Sequence, residues 1–520
     1  MSRARPGVVA TVGLADPDPS RQRSGAALRD LMAPLDHLLI SGGDSRLTIN
    51  PATGCNDYGC QPQPAPFLIS FSSSTATSIS PRAYDRATVA RESLMQSAIT
   101  SGFDDAFEAR IEAMRDDLKR HLGLSETGAE VIFSASGTDS QLHALFLTRS
   151  LLGAPLTSVV VAGDQTGSGT VHTARGCHFN DITASRCCVR KGEPIDGLAE
   201  SVASLVLPLL QDDDDIAASV DDARVIGTVA DAIANGTKAL LQVMDGSKLG
   251  RRVPSDQCLQ TIQTRWPDDV QVVVDACQMR LGRRRLRAYL DRGFMVLITG
   301  SKFFGGPPFS GALLVPAALS DAIGAADRMP HGLRDYGTRS DWPRRWRMLR
   351  SHFSPHANLG QWLRWEAALE EIRAYFDVPG AFRRMAVQRL ATGIAAIVNA
   401  SPSLRLLSPQ RDRGGSSIKD EDLEMTTIFP FTIEPAGRKL SLDECKDIYQ
   451  KLKAQDCLVG QPVGWTARNG RPVAALRISI GARQVTDAWS IDEALAERNL
   501  QGELDRVSVV AANIEALLGS

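Results

Sequence analysis

The chain has 520 residues, 43% apolar and 23% charged, with a formal net charge of −2. This composition supports two or three globular domains with ample core material, and gives no whole-protein charge for binding nucleic acid or an anionic membrane. Nine cysteines, an odd number without C-x-x-C pairs, form neither a disulfide framework nor a structural zinc site, so no metal is expected.

The first residues are basic, then briefly apolar, and break into Asp and Pro at once, unlike a secretory signal. The longest apolar stretches, such as SLVLPLL from Ser204, fall far short of a membrane span, and the expected compartment is the cytoplasm. Residues 1–85 read as a Pro/Ser-rich N-terminal arm. Within it FSSSTATSIS is dense in hydroxyls, suited to a lid or a substrate contact, and Phe67, Ile69 and Phe71 alternate as in a strand. From Arg86 the pattern turns helical, through RATVARESLMQSAI and DAFEARIEAMRDDLKRHLGL. After Gly128, short apolar runs at AEVIFSAS, TSVVVAG, KALLQVMD, DVQVVVDA and FMVLITG alternate with helical patterns. Continuous apolar runs imply strands buried on both faces, the mark of a parallel sheet between helices. QDDDDIAASVDD, from Gln211, reads as a solvated acidic loop or helix start. A second region begins near residue 346, where NLGQWLRWEAALEEIRAYF predicts an amphipathic helix with Leu363, Ala367 and Leu369 near one face. The strand-like TTIFPFTIE and AALRISIGAR flank the helical LDECKDIYQKLKAQ. The expected architecture is α/β: a three-layer α/β/α large domain over 86–345 with a mostly parallel sheet, and a smaller α+β domain over 346–520.

Ligands of open parallel sheets bind at the carboxyl ends of the strands, so the residues there are the first candidates. In VIFSASGTDSQLHALFL a strand runs through Ser136, Gly137 and Thr138 into a helix, whose N-terminus suits an anion; a plain helix cap is the alternative. In VQVVVDACQ, Asp275 ends an apolar strand. A carboxylate there needs a partner, which backbone donors also supply, and Gln278 reaches the same side. In FMVLITGSKFFGGPPFSGALLVP, Lys302 follows a core strand. Desolvation favours its neutral, nucleophilic amine, although a lysine snorkelling to solvent fits the same position. Thr299 lies three residues before it, and Gly300, Gly305 and Gly306 would admit a bulky ligand to the backbone. Lys248, in LLQVMDGSKLG, also follows a strand but precedes Asp275.

An anion cradle, a carboxylate and an amine match the phosphate, ring nitrogen and aldehyde of pyridoxal 5′-phosphate. SGTD at 136–139, VDACQ at 274–278 and TGSK at 299–302, in that order, resemble the fold type I pyridoxal-phosphate-dependent enzymes, most closely their class V aminotransferase-like branch. The resemblance spans roughly residues 86–490. It implies that Ser136, Gly137 and Thr138 bind phosphate, Asp275 partners the ring nitrogen, Gln278 neighbours the 3-hydroxyl, and Lys302 holds the cofactor as a Schiff base. Gly337 and Thr338, in DYGTRSDW, would reach a neighbouring subunit's phosphate in a homodimer with interfacial sites. Arg477 would take the substrate carboxylate, with Arg483 a nearby rival. Ser301 stands where the branch commonly has His before the lysine. Gln165 or Thr166 occupies the place of its ring-stacking residue, with His172 and His178 further on. No cysteine stands out as a persulfide carrier. The implied activity is that of a transferase or lyase that removes the Cα proton of an amino-acid substrate through Lys302. Elimination or replacement at the β or γ carbon is favoured, including carbon–carbon bond formation in specialised biosynthesis. A class V-type aminotransferase and a non-catalytic regulator or scaffold are the alternatives.

Overall fold

The computed structural model describes residues 27–209, 222–407, 423, 425–467 and 469–519. The apolar runs form strands. After β1 (Ile69–Phe71) come β2 (Glu130–Ser134), β3 (Leu156–Val161), β4 (Val202–Leu207), β5 (Lys238–Asp245), β6 (Arg252–Val253), β7 (Val270–Asp275), β8 (Met295–Thr299) and β9 (Gly311–Val315). The larger sheet has the order β2-β9-β8-β7-β5-β3-β4, with β6 added to β5. Neighbours from β8 to β4 pair in parallel, while β9 runs antiparallel to both β2 and β8. Side chains alternate between two cores. Val272, Val274, Val296 and Ile298 enter one, and Val273, Met295 and Leu297 the other. Burial on both faces is why these strands read as unbroken apolar runs. The expected mostly parallel three-layer arrangement is therefore present.

β4 carries VASLVL, whose apolar end overlaps SLVLPLL, a stretch read in the sequence as apolar but not as a strand. It is the edge strand, and Leu205 and Val206 are exposed on it. All but the last residue of the acidic run from Gln211 lies outside the described residues; Asp222 opens the helix Asp222–Ala234.

A second sheet has the order β1-β12-β13-β11-β10, built from β10 (Leu404–Leu406), β11 (Ile428–Ile433), β12 (Cys457–Thr466) and β13 (Pro472–Ser479). Its outer strand is the arm segment: Ile69, Ser70 and Phe71 pair in parallel with Cys457, Leu458 and Val459. The alternation around Phe71 thus marks a strand, although Phe67 lies outside it and is exposed.

The helix Leu359–Asp377 departs from the amphipathic expectation. It is buried on most sides and packs against the helices Pro81–Ser101 and Phe103–His121. Three of its charged residues, Arg364, Glu366 and Glu371, are buried too, and each is answered. Glu366 accepts from Arg86, Arg110 and the Trp362 indole, and Glu371 from Arg82 and Ser80. Arg364 donates to the backbone carbonyls of Phe309, Leu39, Ser41 and Gly42, tying the arm to this helix. Charges that look like a solvated face are here a buried network, because their partners come from segments far away in sequence. Among the described residues, no helix is long and apolar enough to cross a membrane.

Candidate active site

The carboxyl ends of β2, β3, β5, β7 and β8 open on one cavity of about 280 Å³. Asp275 is the last residue of β7, and Lys302 follows β8 by three residues; both are half-buried and both line this cavity. The Cys277 thiol, pushed far up by burial, senses the Asp275 carboxylate and the Lys302 ammonium together. Asp275 Oδ1 also accepts from the Cys277 backbone N–H at 3.1 Å. The backbone donor expected of a capping carboxylate is thus present.

Lys302 is held by its neighbours. Phe303 and Phe304 are buried against Tyr375, with ring centroids 5.2 and 5.8 Å away. The glycines around it serve packing, which corrects the expectation that they admit a ligand. A Cβ on Gly300 would stand 2.5 Å from the Ala368 Cβ, and one on Gly306 2.7 Å from it. Gly305 takes φ +75°. None of the three lines the cavity; Gly300 and Gly306 let the helix Leu359–Asp377 touch the loop that carries the lysine.

Ser136, Gly137 and Thr138 line the opposite wall, at the N-terminus of the helix Gly137–Leu152. Ser136 Oγ accepts from the N–H groups of Thr138 and Asp139, an N-cap, and donates to Asp139 Oδ2 at 2.5 Å. A Cβ on Gly137 would lie 2.8 Å from Cys277 Sγ, so glycine is required for this turn to pack on β7. Thr166 and Gln165 also line the cavity. The Thr166 hydroxyl is turned to the Gly163 carbonyl, while Gln165 Oε1 is buried without a partner. His172 and His178 are not among the lining residues. Thr299 Oγ1 donates to the Cys277 carbonyl, and Gln278 donates to the Ser74 carbonyl and accepts from Arg280. Both lie at the cavity wall.

Arg477 enters from β13. It is 1% exposed, and burial pulls its guanidinium down to about 10. It donates to the carbonyls of Lys248 and Gln461 and to Thr75 Oγ1, at 3.0, 2.6 and 3.2 Å, and its Nε is buried without an acceptor. A bulge in β12 between Gly460 and Val463 turns Gln461 and Pro462 into the cavity. Arg483 lies elsewhere, donating to the carbonyls of Ser78 and Gly305. Gly337 and Thr338 do not line their own chain's cavity; the Thr338 N–H and hydroxyl both bond Asp341.

Several lining residues escaped the sequence reading. Arg46, ion-paired with Asp44 at 2.5 Å, points its other N–H groups at Ser136 Oγ and Thr138 Oγ1, 3.4 and 3.5 Å away. It also lies over the Phe309 ring, 4.8 Å from the centroid. Tyr58 stands beside it, and Ser74, Thr75 and Ala76 close the wall. The available signal was GGDSR at 42–46, a charged pair after two glycines in an otherwise polar arm. Lys248 completes the lining, so the two strand-end lysines share one cavity.

The lining thus holds four cations, Arg46, Lys248, Lys302 and Arg477, against the single carboxylate of Asp275. A helix N-terminus and an unengaged guanidinium proton add donors, and the orphaned Gln165 Oε1 adds an acceptor. The residues present fit a phosphorylated aldehyde together with a carboxylate-bearing substrate.

The sequence matches no protein-family model and is similar to no curated protein. Solved structures are similar in fold. A NifS-like protein gives a TM-score of 0.50 at 13% identity, over 85% of this chain and 100% of its own. A C-DES mutant with glycine covalently linked to its PLP cofactor gives 0.51 at 15% identity, over 85% and 97%. A NifS-like protein from Rickettsia africae gives 0.50 at 12% identity, over 84% and 98%. At these identities the likeness is one of fold. The chain has the fold type I, class V aminotransferase-like architecture that its three ordered motifs resemble.

Proposed function

We propose that the cavity binds pyridoxal 5′-phosphate and that the protein is a transferase or lyase acting on an α-amino acid. The observation that carries this reading is that Asp275, Lys302, the Ser136–Thr138 turn and Arg477 line one cavity at the strand ends. When bound, the cofactor would supply an aldehyde for the substrate amine and an electron-accepting ring. Lys302 would hold the cofactor through Nζ before substrate arrives and, with that amine freed by the substrate's own, would take the proton from the substrate Cα. Asp275 keeps a proton on the ring nitrogen. Ser136, Gly137 and Thr138 bind the phosphate with Arg46 facing them, and the unengaged protons of Arg477 take the substrate carboxylate. Gln278, held by Arg280 and Ser74, would neighbour the ring's 3-hydroxyl, with Thr299 and Thr166 at the wall. The arm residues Ser74 to Ala76 exclude water.

Elimination or replacement at the β or γ carbon, carbon–carbon bond formation included, is the favoured reaction. It is supported by the hydroxyl-bearing arm wall, and by Ser301 and Gln165 or Thr166 standing where the class V branch commonly carries a histidine and a ring-stacking side chain. Transamination is the second reading, since the same proton transfer at Cα begins both. Gly337 and Thr338 are assigned to the phosphate of a neighbouring subunit in a homodimer, which is supported by their lying off their own cavity.

The test is spectroscopic. Purified protein is expected to absorb at about 420 nm; borohydride, by reducing the imine to an amine, is expected to abolish that band and leave the cofactor permanently attached to Lys302, and Lys302→Ala is expected to show neither the band nor the attachment. A wild-type protein that takes up no cofactor would overturn the reading in favour of a scaffold. Trapping of a keto acid against release of a thiol or other leaving group separates transamination from elimination.

A further inference from the structure

Of the four cations lining the cavity, three have a task. Arg46 is ion-paired with Asp44 and faces the phosphate turn, Lys302 shares its surroundings with Asp275, and Arg477, tied to Lys248, Thr75 and Gln461, keeps an Nε proton without an acceptor. Lys248 has none. Its ammonium makes no hydrogen bond or ion pair among the described residues, although it lines the same wall as Lys302 and Arg477. Its backbone is fixed. Gly246, at φ +87°, and Ser247 donate to the Arg251 carbonyl at 3.0 and 2.7 Å, and Ser247 Oγ accepts from Leu249 and Arg251. The Lys248 carbonyl accepts from Arg477 Nη1 at 3.0 Å, which ties the two cations together. Burial first, and then the neighbouring Arg477 and Lys302, lower the Lys248 ammonium to about 8 against a smaller opposing pull from Asp164, which makes no ion pair with it, so it is still charged at neutral pH. A cation kept half-buried beside two others is costly unless an anion answers it.

We propose that Lys248 determines substrate specificity by binding a second negatively charged group, a carboxylate or a phosphate, on the side chain of the amino-acid substrate. The assignment rests on the cofactor reading above and names the substrate class within it. Arg477 and the Lys302 amine deal with the α-carbon end. The Lys248 ammonium is the charge left over, and a dianionic amino acid balances it where a neutral one does not.

The experiment is calorimetric titration of the wild-type holoenzyme with L-alanine, L-aspartate, L-glutamate and O-phospho-L-serine. At least one dianionic ligand is expected to bind about tenfold or more tighter than alanine. Aspartate or glutamate in that place assigns a carboxylate, and O-phosphoserine alone assigns a phosphate. In Lys248→Gln the loss is expected to fall on the dianionic ligands and not on alanine, while Lys248→Arg is expected to keep the preference. No preference in the wild type, a preference that survives in Lys248→Gln, or an equal loss for all four ligands overturns the proposal. Absence of the cofactor band from the wild type would instead defeat the cofactor reading. A band without the preference defeats only the assignment of Lys248.

Discussion

Asp139 is fully enclosed beside the phosphate turn. Burial, with Asp44 nearby, pushes its carboxyl up to about 7 against the opposing hydrogen bond from Ser136. A carboxyl raised in the folded state contributes stability at low pH, which is lost as pH rises from its unfolded value near 4 toward 7. The melting temperature of Asp139→Asn relative to wild type is therefore expected to climb across that window and level off above it. Calorimetric scans at pH 4, 5, 6, 7 and 8 check this. Lys248 gives an expectation of its own. The charged groups facing it are Arg477 from β13, Lys302 from the loop after β8 and Asp164 from the turn after β3. Its charge disappears above about pH 8, so the preference for a dianionic ligand is expected to fade between pH 7 and 9 in the same titrations. Lys302 and Asp275 were legible in the sequence because the signal is local: a charge that ends an apolar run. Arg46 was not, because its role is defined by Ser136 and Thr138, some ninety residues further on.

The helix Leu359–Asp377 shows how far an element can depart from its pattern. The Glu366 side chain is wholly buried, whereas those of its partners Arg86 and Arg110 are 34% and 27% exposed. Removing the two arginines strands a carboxylate, while removing the carboxylate leaves arginines that water can reach. The double variant Arg86→Met/Arg110→Met is expected to lose about 3–5 kcal/mol in urea unfolding, and Glu366→Gln distinctly less. The contact of this helix with the lysine loop gives a second expectation. Gly306→Ala forces a Cβ against Ala368 and the Gly300 carbonyl, an overpacking that costs about 1–3 kcal/mol. It is also expected to shift the 420 nm band or slow borohydride fixation, since the loop that moves carries Lys302. The sequence showed glycines next to a lysine. Whether they made room for a ligand or for a helix depended on an element more than fifty residues downstream.

Across the whole molecule, the cavity exists because the two sheets and the arm meet. The larger sheet supplies Asp275, Lys302 and the phosphate turn, β13 supplies Arg477, and the arm supplies Arg46, Tyr58 and Ser74–Ala76. The arm is not appended: it provides a strand to the second sheet, and Thr75 Oγ1 accepts from Gln461 and Arg477. Arg46→Met is accordingly expected to weaken cofactor binding by about tenfold or more, read by equilibrium dialysis, with the fold intact by circular dichroism. By itself the sequence determined a mostly parallel α/β sheet, five of its strands in chain order and the residues at their ends. Those follow from apolar runs and their terminating charges within a few positions of one another. Only the tertiary structure decided which distant cations share the cavity, what the glycines pack against and where the charges of a buried helix find their partners. Such pairings join segments up to several hundred residues apart, and neither half carries a mark in its own neighbourhood of the other.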